Sequence, residues 1–234
     1  MKFFSKRNEK LISTTAIIWI FCTLFIILAP KTAITLTPAP IDEVVARLQQ
    51  KYEKTRDFKA GFLQQTTIIS IKKTDTEEGT VFFKTPQNML WNYSRPKAKK
   101  LVINSRKAWL YLPQEKVAYV QEADYIFKSK TLIKFISGLG KLKDDFTIQY
   151  AKPQALDKQG NYLLLLIPRE KTPALQPFQV TVDKNTFLIL QISFADALGN
   201  TTLLKFSNIS TNLGLAEKMF QFQPPKGVSI FNMP

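Results

Sequence analysis

A long succession of short apolar segments, separated by turn residues, constrains the fold of this 234-residue chain more than any other feature. From Phe58 onward the segments have strand length and recur about every 8 to 12 residues, which is typical of an antiparallel sheet. Helical segments do not alternate with them, which argues against a parallel sheet with crossover helices. The pattern predicts eleven strands, at Phe58–Lys72, Gly79–Lys84, Met89–Tyr93, Leu101–Asn104, Ala108–Leu112, Lys116–Gln121, Asp145–Tyr150, Asn161–Ile167, Phe178–Val182, Leu188–Phe194 and Thr201–Ser207.

Some of these strands are apolar on both faces, whereas an antiparallel sheet with one solvated face alternates apolar and polar residues. Tyr162–Ile167 is apolar throughout, and Phe187–Leu190 and Trp109–Leu112 are similar. Both faces of such strands need cover. We expect a helix over one face, and a further protein segment or a ligand over the other.

Two helices are predicted in addition to the strands. The first carries one apolar stripe at helical spacing, formed by Ile41, Val44, Val45, Leu48 and Tyr52. The second interrupts the strands at Ser129–Ser137, where Ser129 is the expected N-cap and Gly138 the expected stop. Because a helix this short is marginal in isolation, its apolar face must pack on another element.

The N-terminal region has the features of a membrane-targeting segment. A basic flank precedes Leu11–Ala29, a run of 19 residues without a charged side chain. Such a run could just cross a hydrocarbon core of roughly 30 Å, or could contain the apolar part of a secretory signal peptide. The basic flank is expected to stay in the cytoplasm, so the rest of the chain is exported. We expect residues 1–39 to be a signal peptide or uncleaved anchor plus linker, and residues 40–234 to form the exported domain.

The available side chains exclude several kinds of site. The chain has no histidine and a single cysteine, Cys22, which excludes Ser-His-Asp and Cys-His nucleophile systems, an intrachain disulfide and zinc sites of Cys and His. Ser129-Lys130 and Asp144-Asp145 are possible catalytic pairs, but adjacent residues do not point at a common substrate atom. We therefore expect a protein that is not an enzyme and has no catalytic residue, metal or cofactor.

The chain is strongly basic, with 33 Lys and Arg residues against 18 Asp and Glu residues and a formal charge of +15. Five basic residues cluster around one predicted strand, at Lys97, Lys99, Lys100, Arg106 and Lys107. No nucleic-acid partner is expected behind an export signal. The cluster is either a surface for anionic lipid headgroups or an acidic protein, or a solvated basic face.

Several sequence fragments occur in an order and spacing that together are specific. They are Phe58–Gln64, Gly79–Pro86, Met89–Tyr93 with Pro96, Trp109–Pro113, Asp196–Thr202, Phe206–Ile209 with Asn212, and Phe220–Val228. In these fragments the chain resembles the outer-membrane lipoprotein carrier protein family (LolA-like), from about Ile41 to Val228.

The resemblance implies a mainly β fold with helices: an unclosed, curved antiparallel β half-barrel of about eleven strands with an α-helical lid. It also implies a periplasmic carrier, or chaperone, that binds the acyl chains of lipoproteins in a hydrophobic cavity. Such carriers take acylated lipoproteins from an inner-membrane ATP-driven lipoprotein-releasing complex and pass them to an outer-membrane lipoprotein receptor. If Leu11–Ala29 is not cleaved, the alternative is an inner-membrane-anchored lipid or lipoprotein receptor of the same fold.

A cavity of this kind needs a wall and a lid. The predicted wall residues are Phe62, Leu90, Trp91, Trp109, Tyr111, Leu164, Leu166 and Phe194, for each of which ordinary core packing is the alternative. The predicted lid residues are Leu132, Ile133 and Ile136, which would cover the empty cavity and yield to lipid. Family members often carry an arginine that latches the lid. This chain has Lys84 before Thr85-Pro86 instead, and a lysine lacks the planar fork of an arginine.

Overall fold

The computed structural model describes residues 37–124, 142–170 and 176–233. Within them the chain forms a 12-stranded, curved and unclosed sheet, together with helix α1 (Ile41–Glu53) and the short helix α2 (Leu142–Asp145). The strands are β1 (Asp57–Ile68), β2 (Lys73–Lys84), β3 (Asn88–Arg95), β4 (Lys99–Ile103), β5 (Lys107–Leu112), β6 (Val117–Glu122), β7 (Phe146–Tyr150), β8 (Tyr162–Pro168), β9 (Phe178–Val182), β10 (Ile189–Ala195), β11 (Thr201–Thr211) and β12 (Ser229–Asn232).

The sheet consists of two antiparallel meanders joined side by side. Its strand order is β12-β6-β5-β4-β3-β2-β1-β11-β10-β9-β8-β7, so the first meander meets the second where β1 pairs with β11. Only β12 pairs in parallel, with β6, among the strands of the described residues. The predicted mainly β fold with an unclosed curved antiparallel sheet is thereby confirmed.

The eleven predicted strands are all present, and their bounds differ most in β1, β2 and β11, which ends at Thr211 rather than Ser207. The strand predicted as Phe58–Lys72 ends at Ile68, because a short 3₁₀ turn follows and Lys72 has a left-handed backbone with φ 52°. Strand β2 then begins at Lys73, six residues earlier than predicted, because its polar first half pairs with β1. The sequence pattern also missed β12, which has only four residues.

Helix α1 covers one face of the sheet, which we call the inner face. Its predicted stripe is confirmed, since Val44, Val45 and Leu48 are buried. Val44 and Leu48 belong to the same apolar core as the inner-facing residues of the strands. The Leu142 N–H donates to Gln49 Oε1 at 2.7 Å, which ties α2 to α1. The core therefore lies between α1 and the inner face.

The C-terminal segment, which we define as residues 213–228, covers part of the opposite, outer face. The buried carboxylate of Asp57 accepts hydrogen bonds from the N–H groups of Leu213, Gly214 and Leu215, at 2.6, 2.9 and 3.1 Å. Phe220, further along the segment, is 1% exposed. A protein segment thus covers the outer face beside β5, where Trp109 and Tyr111 contact its Phe222.

Candidate functional site

An aromatic cluster on the inner face depends on a glycine. The ring of Phe62 contacts both Trp91 and Tyr93, each with 4.9 Å between ring centroids. Phe62 reaches Tyr93 across β2, because the residue paired with both of them is Gly79. A Cβ atom at Gly79 would lie 2.1 Å from the carbonyl oxygen of Asn92. Close strand approach and the absence of a side chain at this point bring the three rings together.

Beside this cluster the inner face holds a cavity of about 230 Å³. That volume is several times the roughly 30 Å³ occupied by one water molecule in the liquid. Because it is concave and lined mainly by apolar side chains of the inner face, this cavity is the candidate ligand site. Its lining is mostly apolar and consists of Gln64, Met89, Trp91, Tyr93, Leu101, Ile103, Ile192, Phe194, Thr202 and Leu204.

A second cavity, of about 30 Å³, lies near the C-terminal end of α1. Tyr52 of the helix, Phe58 of β1 and Leu188 are among the residues around it. Ile192 lines both cavities and is 2% exposed. The two spaces therefore lie on either side of one buried aliphatic side chain.

Five of the eight predicted wall residues lie on the inner face: Phe62, Trp91, Leu164, Leu166 and Phe194. Trp91 and Phe194 line the larger cavity. Phe62, Leu164 and Leu166 belong to the packed core around it, where their exposure is 4% or less. In the described residues these three side chains pack in the core, which was the alternative to a place in the cavity wall.

The structure corrects the placement of three predicted wall residues, Leu90, Trp109 and Tyr111. Leu110 is the β5 residue that pairs with the lining residue Leu101, so its neighbours Trp109 and Tyr111 point to the outer face. There both rings contact Phe222 of the C-terminal segment, at centroid distances of 5.5 and 5.3 Å. Leu90 alternates in the same way with Trp91, which faces inward. Because Trp109–Leu112 is apolar on both faces, its sequence does not indicate which side is inner.

Eight of the lining residues were not predicted. For four of them the period of two along a strand could have indicated the face. Met89 and Tyr93 lie two residues on either side of Trp91, and Leu101 and Ile103 are two residues apart on β4. Ile192 and Leu204 lie in predicted strands but were not distinguished from their neighbours. The polar residues Gln64 and Thr202 gave no sign of lining an apolar cavity.

One end of the cavity is polar. The Tyr93 hydroxyl donates to Gln64 Oε1 at 3.3 Å, and Gln64 Nε2 donates to Glu77 Oε2 at 3.4 Å. Lys99 forms an ion pair with Glu77 at 2.6 Å, and its Nζ lies 4.2 Å from the centroid of the Tyr93 ring. Burial, together with the negative charge of Glu77, raises the pKa of Tyr93 to about 12. The hydroxyl is therefore neutral near pH 7.

Lys84 does not reach the inner face. It alternates with the core residue Phe83 and so lies on the outer face. Its ammonium group contacts the carboxylate of Glu217 at 2.8 Å and donates to the carbonyl of Leu215 at 2.7 Å. In the described residues this lysine therefore holds the C-terminal segment, and a latching role towards the lid stays a prediction.

The remaining predicted elements lie outside the described residues. These are the lid residues Leu132, Ile133 and Ile136, their helix Ser129–Ser137, and the apolar run Leu11–Ala29. In the part of the chain that the structure describes, the helices are too short or too polar to cross a membrane. The lid and the anchor remain predictions.

Comparison with known proteins identifies the family to which the chain belongs. The profile of the family "Outer membrane lipoprotein carrier protein LolA" matches residues 53–223. The chain therefore belongs to this family, which confirms the resemblance stated from the sequence. It is similar to the outer-membrane lipoprotein carrier protein of Methylococcus capsulatus, with 25% identity over 80% of this chain and 86% of the relative. Similarity to the protein of the same name in Nitrosomonas europaea is 25% identity over 85% and 94%.

Two solved structures similar to this chain have low sequence identity to it, and the first of them shares its overall fold. An uncharacterized conserved protein from Thermus thermophilus superposes with a TM-score of 0.51 at 13% identity, covering 82% of this chain and 98% of that one. A LolA superfamily protein from Nitrosomonas europaea gives a TM-score of 0.44 at 13% identity, covering 79% and 99%.

Proposed function

We propose that this protein is a periplasmic lipoprotein carrier that holds the acyl chains of its cargo in the 230 Å³ cavity of the inner face. Membership of the lipoprotein carrier family supports the general role. The cavity itself is the observation that carries the proposal, because seven of its ten lining side chains are apolar. In this proposal Trp91 and Phe194 contact the ligand directly, and Phe62, Leu164 and Leu166 support the wall.

The hydrophobic effect supplies enough free energy for such binding without a catalytic residue. An acyl chain gains about 0.8 kcal/mol for each methylene removed from water. Ten methylenes would contribute roughly 8 kcal/mol before the cost of ordering the chain and the cavity. A site of this kind needs apolar surface and room, which the inner face provides.

The carrier role implies two further protein partners, which we propose from the family resemblance. An inner-membrane ATP-driven lipoprotein-releasing complex would load the carrier with acylated lipoprotein. An outer-membrane lipoprotein receptor would then accept the cargo. Transfer between them places the exported domain in the periplasm.

The uncharged run Leu11–Ala29 favours a second candidate, a receptor of the same fold that stays anchored in the inner membrane. The two candidates differ in whether this run remains in the exported protein. Mass spectrometry of the N-terminus of the protein isolated from cells distinguishes them. A retained run supports the anchored receptor, and a removed run supports the soluble carrier.

A pair of leucines on opposite faces provides a matched test of the cavity. Leu101 is half-buried and lines the cavity, whereas Leu203 is half-buried in β11 beside the inward-facing Leu204 and therefore faces outward. Leu101→Arg would place a charge in the acyl site, and Leu203→Arg would place the same charge outside it. We expect Leu101→Arg to weaken binding of a fluorescent fatty-acyl probe at least tenfold, and Leu203→Arg to leave it within about twofold.

Thermal unfolding of both variants controls for misfolding. Equal probe affinity for the folded Leu101→Arg variant and the wild type would contradict the proposed site. Co-purification with an acylated lipoprotein, but not with the same lipoprotein lacking its acylated cysteine, would then connect the cavity with the natural cargo.

A further inference from the structure

Three polar side chains from distant parts of the sequence line the cavity. Gln64 comes from β1, Tyr93 from β3 and Thr202 from β11, and all three line the same space. Met89 lies four residues before Tyr93 on β3 and pairs with Ile103 of β4, so the lining there is apolar. The cavity is therefore amphipathic along its length.

The polar atoms at this end are only weakly paired. Tyr93 donates to Gln64 at 3.3 Å, Gln64 donates to Glu77 at 3.4 Å, and the hydroxyls of Thr202 and Thr66 are 3.5 Å apart. Hydrogen bonds donated by a hydroxyl are typically about 2.7–2.8 Å long and those donated by an N–H about 2.9–3.0 Å, so all three contacts are long. Within the described residues these are the side-chain hydrogen bonds of Gln64, Tyr93 and Thr202. A ligand with well-placed acceptor oxygens would replace poor hydrogen bonds with better ones.

The charges beside these groups cancel. Glu77 and Lys99 form an ion pair at 2.6 Å, and their side chains are only 23% and 26% exposed. Tyr93 is neutral near pH 7, so its hydroxyl is available as a donor. The cluster thus offers hydrogen-bond donors without net charge. This favours uncharged carbonyl oxygens over the phosphate or carboxylate of an anionic lipid.

We propose that Tyr93, Gln64 and Thr202 form a polar subsite that donates hydrogen bonds to the ester or amide carbonyl oxygens of an acylated ligand. The hydrocarbon chain of that ligand would occupy the apolar remainder of the cavity. The subsite selects acyl chains joined through a carbonyl group over plain alkyl chains. This inference rests on the proposed function, since it requires that the cavity binds a lipid.

A matched pair of lipids tests the subsite in the full chain. A 1-monoacylglycerol and the corresponding 1-O-alkylglycerol share their chain length and glycerol group, but only the first has a carbonyl oxygen. Each is used to displace a fluorescent fatty-acyl probe. A single hydrogen bond of ordinary strength corresponds to roughly a two- to tenfold preference for the ester over the ether.

Two conservative variants remove donors from the subsite with little change of shape. We expect Tyr93→Phe and Thr202→Val each to lower the preference for the ester, and their combination to bring the two affinities within about twofold. Tyr119→Phe is the control, because Tyr119 pairs with Leu110 on the inner face but does not line the cavity. This control should keep the wild-type preference.

The outcomes separate the subsite from the carrier function. If the wild type binds both lipids with equal affinity, the subsite is refuted while the lipid-binding cavity stands. If it binds neither lipid nor the probe, the proposed function fails and the subsite fails with it. If the folded double variant keeps the full preference for the ester, the recognition belongs to other groups and the assignment of Tyr93 and Thr202 is wrong.

Discussion

Replacing Gly79 by alanine should destabilise the protein and disturb its cavity. The new Cβ would lie 2.1 Å from the carbonyl oxygen of Asn92 and 2.9 Å from the Cα atom of Tyr93. Both obstacles are backbone atoms of β3, so β2 and β3 must separate locally. The ring of Tyr93 would then move away from Phe62, which it contacts edge-on at 4.9 Å.

The expected magnitude follows from three contributions. Overpacking of this kind costs about 1–3 kcal/mol, and loss of the edge-to-face ring contact adds about 0.5–1.5 kcal/mol. Alanine also restricts the unfolded chain, which returns about 0.4–1 kcal/mol. The net loss of unfolding free energy is therefore about 2 kcal/mol, which corresponds to a decrease of about 1 M in the urea midpoint.

Gly61 provides the matched control, because it lies in the adjacent strand β1 and also lacks a positive φ. A Cβ at Gly61 would meet the hydroxyl oxygen of Ser207 at 2.8 Å, but its next neighbour is 3.7 Å away. Since that hydroxyl can rotate, we expect Gly61→Ala to change stability by no more than about 0.5 kcal/mol. Urea unfolding followed by tryptophan fluorescence measures both variants. The reasoning is refuted if Gly79→Ala unfolds at the wild-type midpoint, or if Gly61→Ala is equally destabilising.

Three further predictions concern the C-terminal segment and the polar end of the cavity. Asp57→Asn replaces a carboxylate that accepts three N–H groups by a neutral amide. It should lower the free energy of unfolding in urea by about 1.5–3 kcal/mol and accelerate amide hydrogen exchange at Leu213–Leu215. Unchanged exchange would contradict this prediction. Lys84→Met should accelerate the same exchange without weakening fatty-acyl binding, and weaker binding would argue that Lys84 acts on the cavity. The pKa of the Tyr93 hydroxyl is raised from 10.0 to about 12 in the folded protein. As the pH rises, the unfolded chain therefore loses the hydroxyl proton before the folded chain does. The free energy of unfolding should consequently fall between about pH 10 and pH 12. Tyr93→Phe should flatten that fall in unfolding measured against pH, and an equally steep fall would contradict the assignment.

Local sequence identified the strands well because their signals are local. Turn residues and period-two apolar patterns arise within a few positions of one another, so the eleven predicted strands are all present. The stripe of α1 was equally readable, since helical spacing directly gives the buried residues Val44, Val45 and Leu48. The covering role of the C-terminal segment was not readable, because its residues gain that role only from distant partners such as Asp57 and Lys84.

The lining of the cavity could be predicted from the sequence only in part. Of the predicted wall residues, Trp91 and Phe194 line the cavity, and their contact with a ligand stays a prediction. Trp109 and Tyr111 pack against Phe222 on the outer face instead. A residue and its strand neighbour are on opposite faces, so a choice between two apolar faces cannot be made from the pattern alone.

The sequence by itself determined the antiparallel sheet, its strand order along the chain and the family to which the chain belongs. Only the tertiary structure decided which side of each two-sided strand faces the cavity, and which polar groups stand at its end. The physical reason is that these contacts join residues far apart in the sequence. Tyr93 hydrogen-bonds Gln64 across a separation of 29 residues, and Thr202 contacts Thr66 across 136 residues. Strand propensity is set by neighbours in sequence, but a binding site is set by strand register across the whole sheet.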